Sequence, residues 1–191
     1  DAFIRPEPKG VMLIIAPWNY PLAMVLDPLV PAIAAGNCVV VKPSEVSHHT
    51  SVLLKQLLTR YMDTSCIRTV LGGIPITTAL LEQSWNHIMY TGNGSVGRIV
   101  MTAAAKHLTP VTLELGGKSP TYVDKSANVQ AAAHRLMFWK YGLNVGQTCI
   151  APDYVLVHKD VEGQFDQECT KVLNDYFGKD QVKRKKHKGF A

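Results

Sequence analysis

The sequence predicts an α/β protein: a doubly wound parallel sheet with helices on both faces, followed by the start of a second α/β unit. Three observations carry that prediction. Five short apolar runs, expected of strands buried on both faces, alternate with four helical stretches between residues 10 and 115. Glycine, proline and small polar residues mark most of the junctions. After Gly116 and Gly117 the alternation starts again.

The elements follow in order. Residues 10–16 (GVMLIIA) are a continuous apolar run, hence a buried strand. Pro17 and Pro21 bracket a turn, and residues 22–35 read as a helix closed by Gly36 and Asn37. Residues 38–41 form a second strand ending at Lys42 and Pro43. Ser44 or Ser47 is placed to cap a helix running to about Met62, with Val52, Leu53, Leu57 and Leu58 expected inside. A strand at 67–71, a short helix at 75–83, a strand at 87–90, a helix at 96–107 and a strand at 111–115 complete the first unit. The second unit reads strand 120–123, helix 129–139, strand 154–158 and helix 161–177. Those elements are too few to close a domain, so the second unit is expected to be incomplete.

Composition narrows the classes. With 191 residues the chain has room for one good core, or for one domain and part of another. Hydrophobic residues at 47% and charged residues at 18% suit a soluble globular protein rather than a disordered one. The net charge of +5 owes much to the run Lys183-Arg184-Lys185-Lys186, and no basic face with interleaved aromatics points to nucleic acid. The run at 183–188 also fits a nuclear localisation signal, although a solvated or out-of-frame end is the expected reading. The longest apolar stretch, residues 22–41, holds Asp27, Asn37, Gly36 and two prolines, which makes a poor membrane helix. Cys38, Cys66, Cys149 and Cys169 show no metal or CxxC spacing, so no metal site is expected and free thiols in a reducing, cytoplasmic setting are.

In a doubly wound sheet, ligands bind at the carboxyl ends of the strands. The unusual residues collect there: Pro17-Trp18-Asn19-Tyr20-Pro21, Lys42-Pro43-Ser44-Glu45, Gly92-Asn93-Gly94-Ser95-Val96-Gly97, and Glu114-Leu115-Gly116-Gly117-Lys118. The hexapeptide 92–97 is a GxGxxG between a strand and a helix, where bare backbone and a helix N-terminus can receive a pyrophosphate. Ordinary turns also match that pattern. Lys42 and Glu45 can meet ribose hydroxyls, a use in which Glu45 would repel a 2′-phosphate; they equally suit a solvated helix entry. Cys149, in the small-residue loop Gly146-Gln147-Thr148-Cys149, has the setting of a nucleophilic thiol, while Cys38, Cys66 and Cys169 fit the buried, inert use of cysteine. Glu114, at a strand end beside glycines, has the freedom a general base needs, or is a capping or ion-paired carboxylate. Asn19, between two prolines, is a rigidly held amide donor or simple turn chemistry. No single motif decides among these readings. Their conjunction, in order and in place, does.

The motifs PWNYP, KPSE, GxGxxG, LELGGK and GQTC resemble those of the aldehyde dehydrogenase superfamily. The stretches TAAAKHLTPVTLELGGKSP and GQTCIAPDYVL are similar to its class 3 branch, which includes fatty and medium-chain aldehyde dehydrogenases. The resemblance spans nearly all of residues 3–178. It implies that residues 1–115 are most of a Rossmann-like NAD-binding domain and 116–191 the beginning of the catalytic domain. It implies Cys149 as nucleophile, Glu114 as general base and Asn19 as oxyanion donor together with the Cys149 N–H. Lys42 and Glu45 then meet the adenosine ribose, and Gly92, Asn93, Gly94, Ser95, Val96 and Gly97 form the pyrophosphate loop. The implied reaction is oxidation of an aliphatic or aromatic aldehyde, medium- or long-chain, through a thiohemiacetal and a thioester, with NAD or NADP as cofactor and a homodimer as the full-length assembly.

Two departures accompany the resemblance. Gly92-Asn93-Gly94 stands where the family more usually has Gly-Ser-Thr or Gly-Ser-Pro; Asn93 keeps the turn chemistry, so phosphate binding is expected to survive. Family members are also more than twice as long. The expected gaps are an N-terminal helical segment and everything after the helix ending near Phe177, including a second glutamate, the substrate funnel and the oligomerisation strands. That pattern suits a gene fragment or a mis-predicted gene model. A reading from a different class follows: a non-catalytic remnant that binds dinucleotide weakly or pairs with an intact homologue through exposed sheet edges.

Overall fold

The computed structural model describes residues 2–180; the basic run at 183–188 lies outside them. The chain divides into two compact units, Asp1–Leu115 and Gly116–Ala191. The first alternates strand and helix: β1 (Val11–Ile15), α1 (Ala23–Ala34), β2 (Cys38–Lys42), α2 (His48–Tyr61), β3 (Ile67–Thr69), α3 (Ile74–Leu81), β4 (His87–Thr91), α4 (Gly94–Ala105) and β5 (Val111–Glu114). All five strands are parallel, in the order β3-β2-β1-β4-β5.

The apolar runs fill a core on each side of this sheet because successive strand side chains point to opposite faces. Ile14 of β1 joins Val39 and Val41 of β2 and Ile67 of β3 in one cluster, with Val25 and Leu29 of α1 and Leu54 and Leu58 of α2 above them. Its neighbours Leu13 and Ile15 join Ile88 and Tyr90 of β4 and Val100 of α4 in the other. Leu13, Val25, Val41 and Val100 have no exposed surface. Each such side chain stabilises the fold by about 1.5–3 kcal/mol relative to leaving it in water. Asn37, also buried, ties α1 to β1: its Oδ1 accepts from the Gly10 N–H at 3.0 Å and its amide donates to the Ala32 carbonyl at 3.0 Å.

Several local expectations are corrected. The inward stripe of α2 is Ser51, Leu54 and Leu58, while Leu53 and Leu57 are exposed. The Ser51 hydroxyl sets that phase by donating to the Ser44 carbonyl at 2.7 Å. Neither Ser44 nor Ser47 caps the helix: Ser47 holds the N-cap position without a side-chain cap, and the Ser44 hydroxyl accepts from the Val46 N–H. Cys66 is exposed at the turn into β3 rather than buried. Helix α4 starts at Gly94, earlier than expected, because Asn93 is its N-cap; its Oδ1 accepts from the Val96 N–H at 2.9 Å.

The second unit has β6 (Ser119–Val123) paired in parallel with β7 (Pro152–Val157), and helices α5 (Val129–Met137) and α6 (Glu162–Phe177). Val123, Val129, Ala133, Leu136 and Phe165 form its core. The expected helix 129–139 stops at Met137 and continues as a π-helical turn over Phe138–Gly142. The Leu143 N–H reaches back to the Phe138 carbonyl at 2.8 Å, a spacing the apolar pattern does not encode.

Candidate active site

Since every strand of the first sheet runs the same way, their carboxyl ends share one edge. Asn19 follows β1, Lys42 ends β2, the loop 92–97 leaves β4 and Glu114 ends β5. The order β3-β2-β1-β4-β5 reverses between β1 and β4, and such a switch point leaves a crevice at the strand ends. Asn19 and Gly92 follow the two strands that flank it. Asn19 is half-buried, and Glu114 is exposed.

Lys42 shows the most deliberate placement. Its side chain is only 4% exposed, and its Nζ donates to Glu45 Oε2 at 2.9 Å and to the Gly72 carbonyl at 3.1 Å. A buried ammonium needs such partners. The Glu45 side chain is 46% exposed. Partial burial pushes its carboxyl up, but the Lys42 hydrogen bond, a backbone N–H and the Lys42 charge together hold it below the ordinary glutamate value. Beside the pair lies a cavity of about 200 Å³ lined by Pro43, Glu45, His48, Leu71 and Gly72 among others.

Gly72 is the residue that the sequence reading missed. It lies just beyond β3, a strand end that the pair Gly72-Gly73 marks in the sequence. Its φ of +150° suits glycine, and a Cβ there would collide with Ile76. That conformation aims a carbonyl at Lys42.

At the end of β4, the Gly92 N–H donates to the Glu114 carbonyl at 3.0 Å, joining two of the motifs through backbone. Tyr90 fills the space beneath Gly92, and its hydroxyl donates to the Asn93 carbonyl at 3.1 Å. Asn93 satisfies the Val96 N–H through its side chain and the Gly97 N–H through its carbonyl. The first-turn N–H groups of Gly94 and Ser95 have no acceptor within the helix by geometry, and both residues are exposed. Nothing lies within 4 Å of a Cβ built on Gly94. An open helix N-terminus of this kind receives a phosphate oxygen well, so the loop fits a dinucleotide pyrophosphate.

In the second unit, Cys149 is exposed. The segment before it is held in sparsely populated backbone conformations: Asn144 at φ 47° and Val145 at φ 52°, the latter a costly state for a β-branched residue. The Asn144 amide donates to the Gln147 carbonyl at 3.3 Å, and the Gln147 amide to the Asn144 carbonyl at 3.0 Å. A Cβ on Gly117 would come within 2.8 Å of the Cys149 carbonyl oxygen, so the glycine lets the two segments touch. Lys118 and Lys140 approach Asp153 at 3.0 and 3.6 Å, and the Lys118 hydrogen bond leads in holding that carboxyl below its ordinary range. Lys42, Glu45 and Gly72 are thus one cluster, Gly92 to Gly97 meet Glu114 at its backbone, and Cys149 meets Gly117.

Known proteins resemble this chain over nearly its whole length. The family model described as "Aldehyde dehydrogenase family" matches residues 1–188. Mouse aldehyde dehydrogenase family 3 member A2 is 53% identical over 178 residues, covering 93% of this chain and 37% of that protein. The rat protein named "Aldehyde dehydrogenase, dimeric NADP-preferring" is 52% identical over 180 residues, 94% of this chain and 40% of its own length. A substrate-bound Staphylococcus aureus AldH structure superposes with a TM-score of 0.86 at 42% identity, over 93% of this chain and 39% of that one. Aldehyde dehydrogenase C from Pseudomonas syringae, complexed with NAD+ and octanal, gives 0.82 at 33% identity over 88% and 35%. The chain spans about two fifths of the length of these relatives. It belongs to the aldehyde dehydrogenase family.

Proposed function

We propose that these residues serve the NAD- or NADP-dependent oxidation of an aldehyde to a carboxylic acid, with Cys149 as nucleophile. The observation that carries the reading is the convergence of four motifs on the carboxyl edge of one parallel sheet, with an open helix N-terminus after β4, beside the switch point. The Cys149 sulfur adds to the aldehyde carbon, and Asn19 and the Cys149 N–H hold the oxyanion of the thiohemiacetal. A bound nicotinamide dinucleotide supplies the acceptor for the hydride that leaves that carbon. Glu114 then takes a proton from water, which attacks the resulting thioester and releases the acid and the thiol. The first-turn N–H groups of Gly94 and Ser95 receive the pyrophosphate, with Gly92, Asn93, Val96 and Gly97 shaping the loop. Lys42 and Glu45 hold the adenosine ribose.

The proposed substrates are medium- or long-chain aliphatic or aromatic aldehydes, a choice the octanal bound to the Pseudomonas syringae neighbour supports. Both cofactors remain in the proposal. One relative is named NADP-preferring, solved neighbours hold NAD, and the Glu45 charge that would oppose a 2′-phosphate is already met by Lys42. A homodimer is proposed for the full-length protein, in line with the rat relative named dimeric. The four free thiols suit a cytoplasmic location.

The test is a chimera in which this chain replaces the matching stretch of a full-length relative. The chimera should reduce NAD or NADP at 340 nm with hexanal or a longer aldehyde, and Cys149→Ala should abolish the signal while leaving the chimera folded. Undiminished reduction in Cys149→Ala rejects the assignment.

A further inference from the structure

Two cysteines that the proposed chemistry does not use come together in the first unit. Val39 of β2 pairs with Ile67 of β3, and Cys38 and Cys66 each stand one residue before that pair, Cys66 in the turn that leads into β3. The Val39 N–H donates to the Cys66 carbonyl at 2.8 Å, which continues the ladder to that point. Side chains at paired parallel positions share a face. Val39 and Ile67 point into the core, which leaves the Cys38 sulfur on the other face of β2, away from that cluster, while Cys66 is exposed in the adjoining turn. Neighbouring strands run about 4.7–4.9 Å apart, inside the window of roughly 4.4–6.8 Å between Cα atoms that a disulfide spans.

Accessibility suits the same use. Cys66 is exposed and Cys38 half-buried. The Ser65 hydroxyl approaches the Cys66 sulfur at 3.8 Å, and the neighbouring Cys66 thiol leads in pushing the Cys38 thiol up, burial and the nearby Asp63 adding to it. Strand β3 is a three-residue edge strand, free to shift by the fraction of an ångström that closure needs.

We propose that Cys38 and Cys66 are a second thiol site, a pair that a peroxide oxidises to an intramolecular disulfide joining β2 to β3. The exposed Cys66 thiolate attacks one peroxide oxygen; the O–O bond breaks, leaving a sulfenic acid and hydroxide. The Cys38 sulfur then attacks the sulfenic sulfur, the S–S bond forms and the S–O bond breaks. Two thiols lose two electrons in all, and one hydrogen peroxide becomes two waters. The pair sits at the amino ends of its strands, on the edge opposite Lys42 and Glu45, so the modification is separate from the proposed cofactor edge.

The experiment treats the 191-residue chain with stoichiometric hydrogen peroxide, in native buffer and in urea. Free thiols are blocked with N-ethylmaleimide, and the unreduced tryptic digest is read by mass spectrometry. The expected product links the peptide of residues 10–55 to that of residues 61–68. It should form at least about tenfold faster in native buffer than in urea, reflecting the high effective concentration of paired groups. It should vanish on reduction, and Cys38→Ser should leave Cys66 as a dimedone-reactive sulfenic acid. Equal rates in the two solvents overturn the proposal, as do linkage of Cys66 to Cys149 or Cys169 and alkylation of both thiols after the peroxide is consumed. The native-against-urea comparison needs no variant, so a misfolded mutant cannot obscure it.

Discussion

Lys42→Met keeps the length and most of the apolar stem of the lysine but removes its ammonium group. Two interactions go with it: the 2.9 Å bond to Glu45 and the 3.1 Å bond to the Gly72 carbonyl. The Glu45 side chain is 46% exposed, so its share falls toward the ~0.2–1 kcal/mol of surface pairs. The carbonyl is left without its donor at a further cost of about 1 kcal/mol. The expected destabilisation is about 2 kcal/mol, which lowers the urea midpoint by roughly 1 M for a domain with an ordinary denaturant slope. Tryptophan fluorescence in a Trp139→Phe background follows Trp18 and Trp85, both in the first unit.

The same variant has a pH signature. The Glu45 carboxyl sits below its ordinary value in the fold, so its contribution is fully present above the ordinary glutamate range. That contribution is lost as the pH falls through the folded-state value. The penalty for Lys42→Met should therefore shrink by about half in acid, leaving the carbonyl part. A double-mutant cycle with Glu45→Gln should give a coupling of about 0.5–1 kcal/mol near neutrality. A Lys42→Met chain that unfolds at the wild-type urea concentration, or a cycle without coupling, would refute the reasoning.

Three further outcomes are expected. Asn93→Ala removes the cap of α4 and should cost about 1 kcal/mol in the same unfolding assay, with Asn93→Ser recovering most of it; equal loss in both variants would remove the capping role. Gly117→Ala places a Cβ 2.8 Å from the Cys149 carbonyl where ordinary contact begins at 3.4 Å, so one segment must move by 3.4 − 2.8 = 0.6 Å. The cost should be about 1–3 kcal/mol, with faster amide exchange over residues 144–150, and unchanged exchange there would contradict the contact. His87 is kept below the ordinary histidine range by burial, Lys9 adding to it. Its Nδ1 is buried without a partner among the described residues. The unfolded chain therefore binds the proton first, and the first unit should lose stability as the pH falls below the ordinary histidine range. His87→Gln should flatten that slope in urea titrations across pH, and an unchanged slope would acquit the imidazole.

The sheet was legible because strands buried on both faces must be apolar throughout, and β1, β2 and β4 come close to that. The loop 92–97 was legible as a glycine-rich strand–helix junction, a pattern that ordinary turns share. What escaped depends on phase and register. Leu53 and Leu54 are adjacent leucines, and only the Ser51–Ser44 hydrogen bond says which faces inward. Gly72 serves through a carbonyl, which any residue carries; its signal was the glycine pair after β3, visible but unread. The π-helical turn at 138–142 and the left-handed Val145 are local strain with no sequence mark. Cys38 and Cys66 meet only because β2 and β3 pair in one particular register.

The central claim is a covalent one, that substrate carbon becomes bound to the sulfur of Cys149. It is tested by giving the Glu114→Gln form of the chimera NAD and octanal, quenching in acid and weighing the tryptic peptide of residues 141–159. The account predicts an octanoyl thioester on that peptide, dependent on NAD and absent in Cys149→Ala. Full turnover with no acyl adduct, or an adduct on another cysteine, would contradict it.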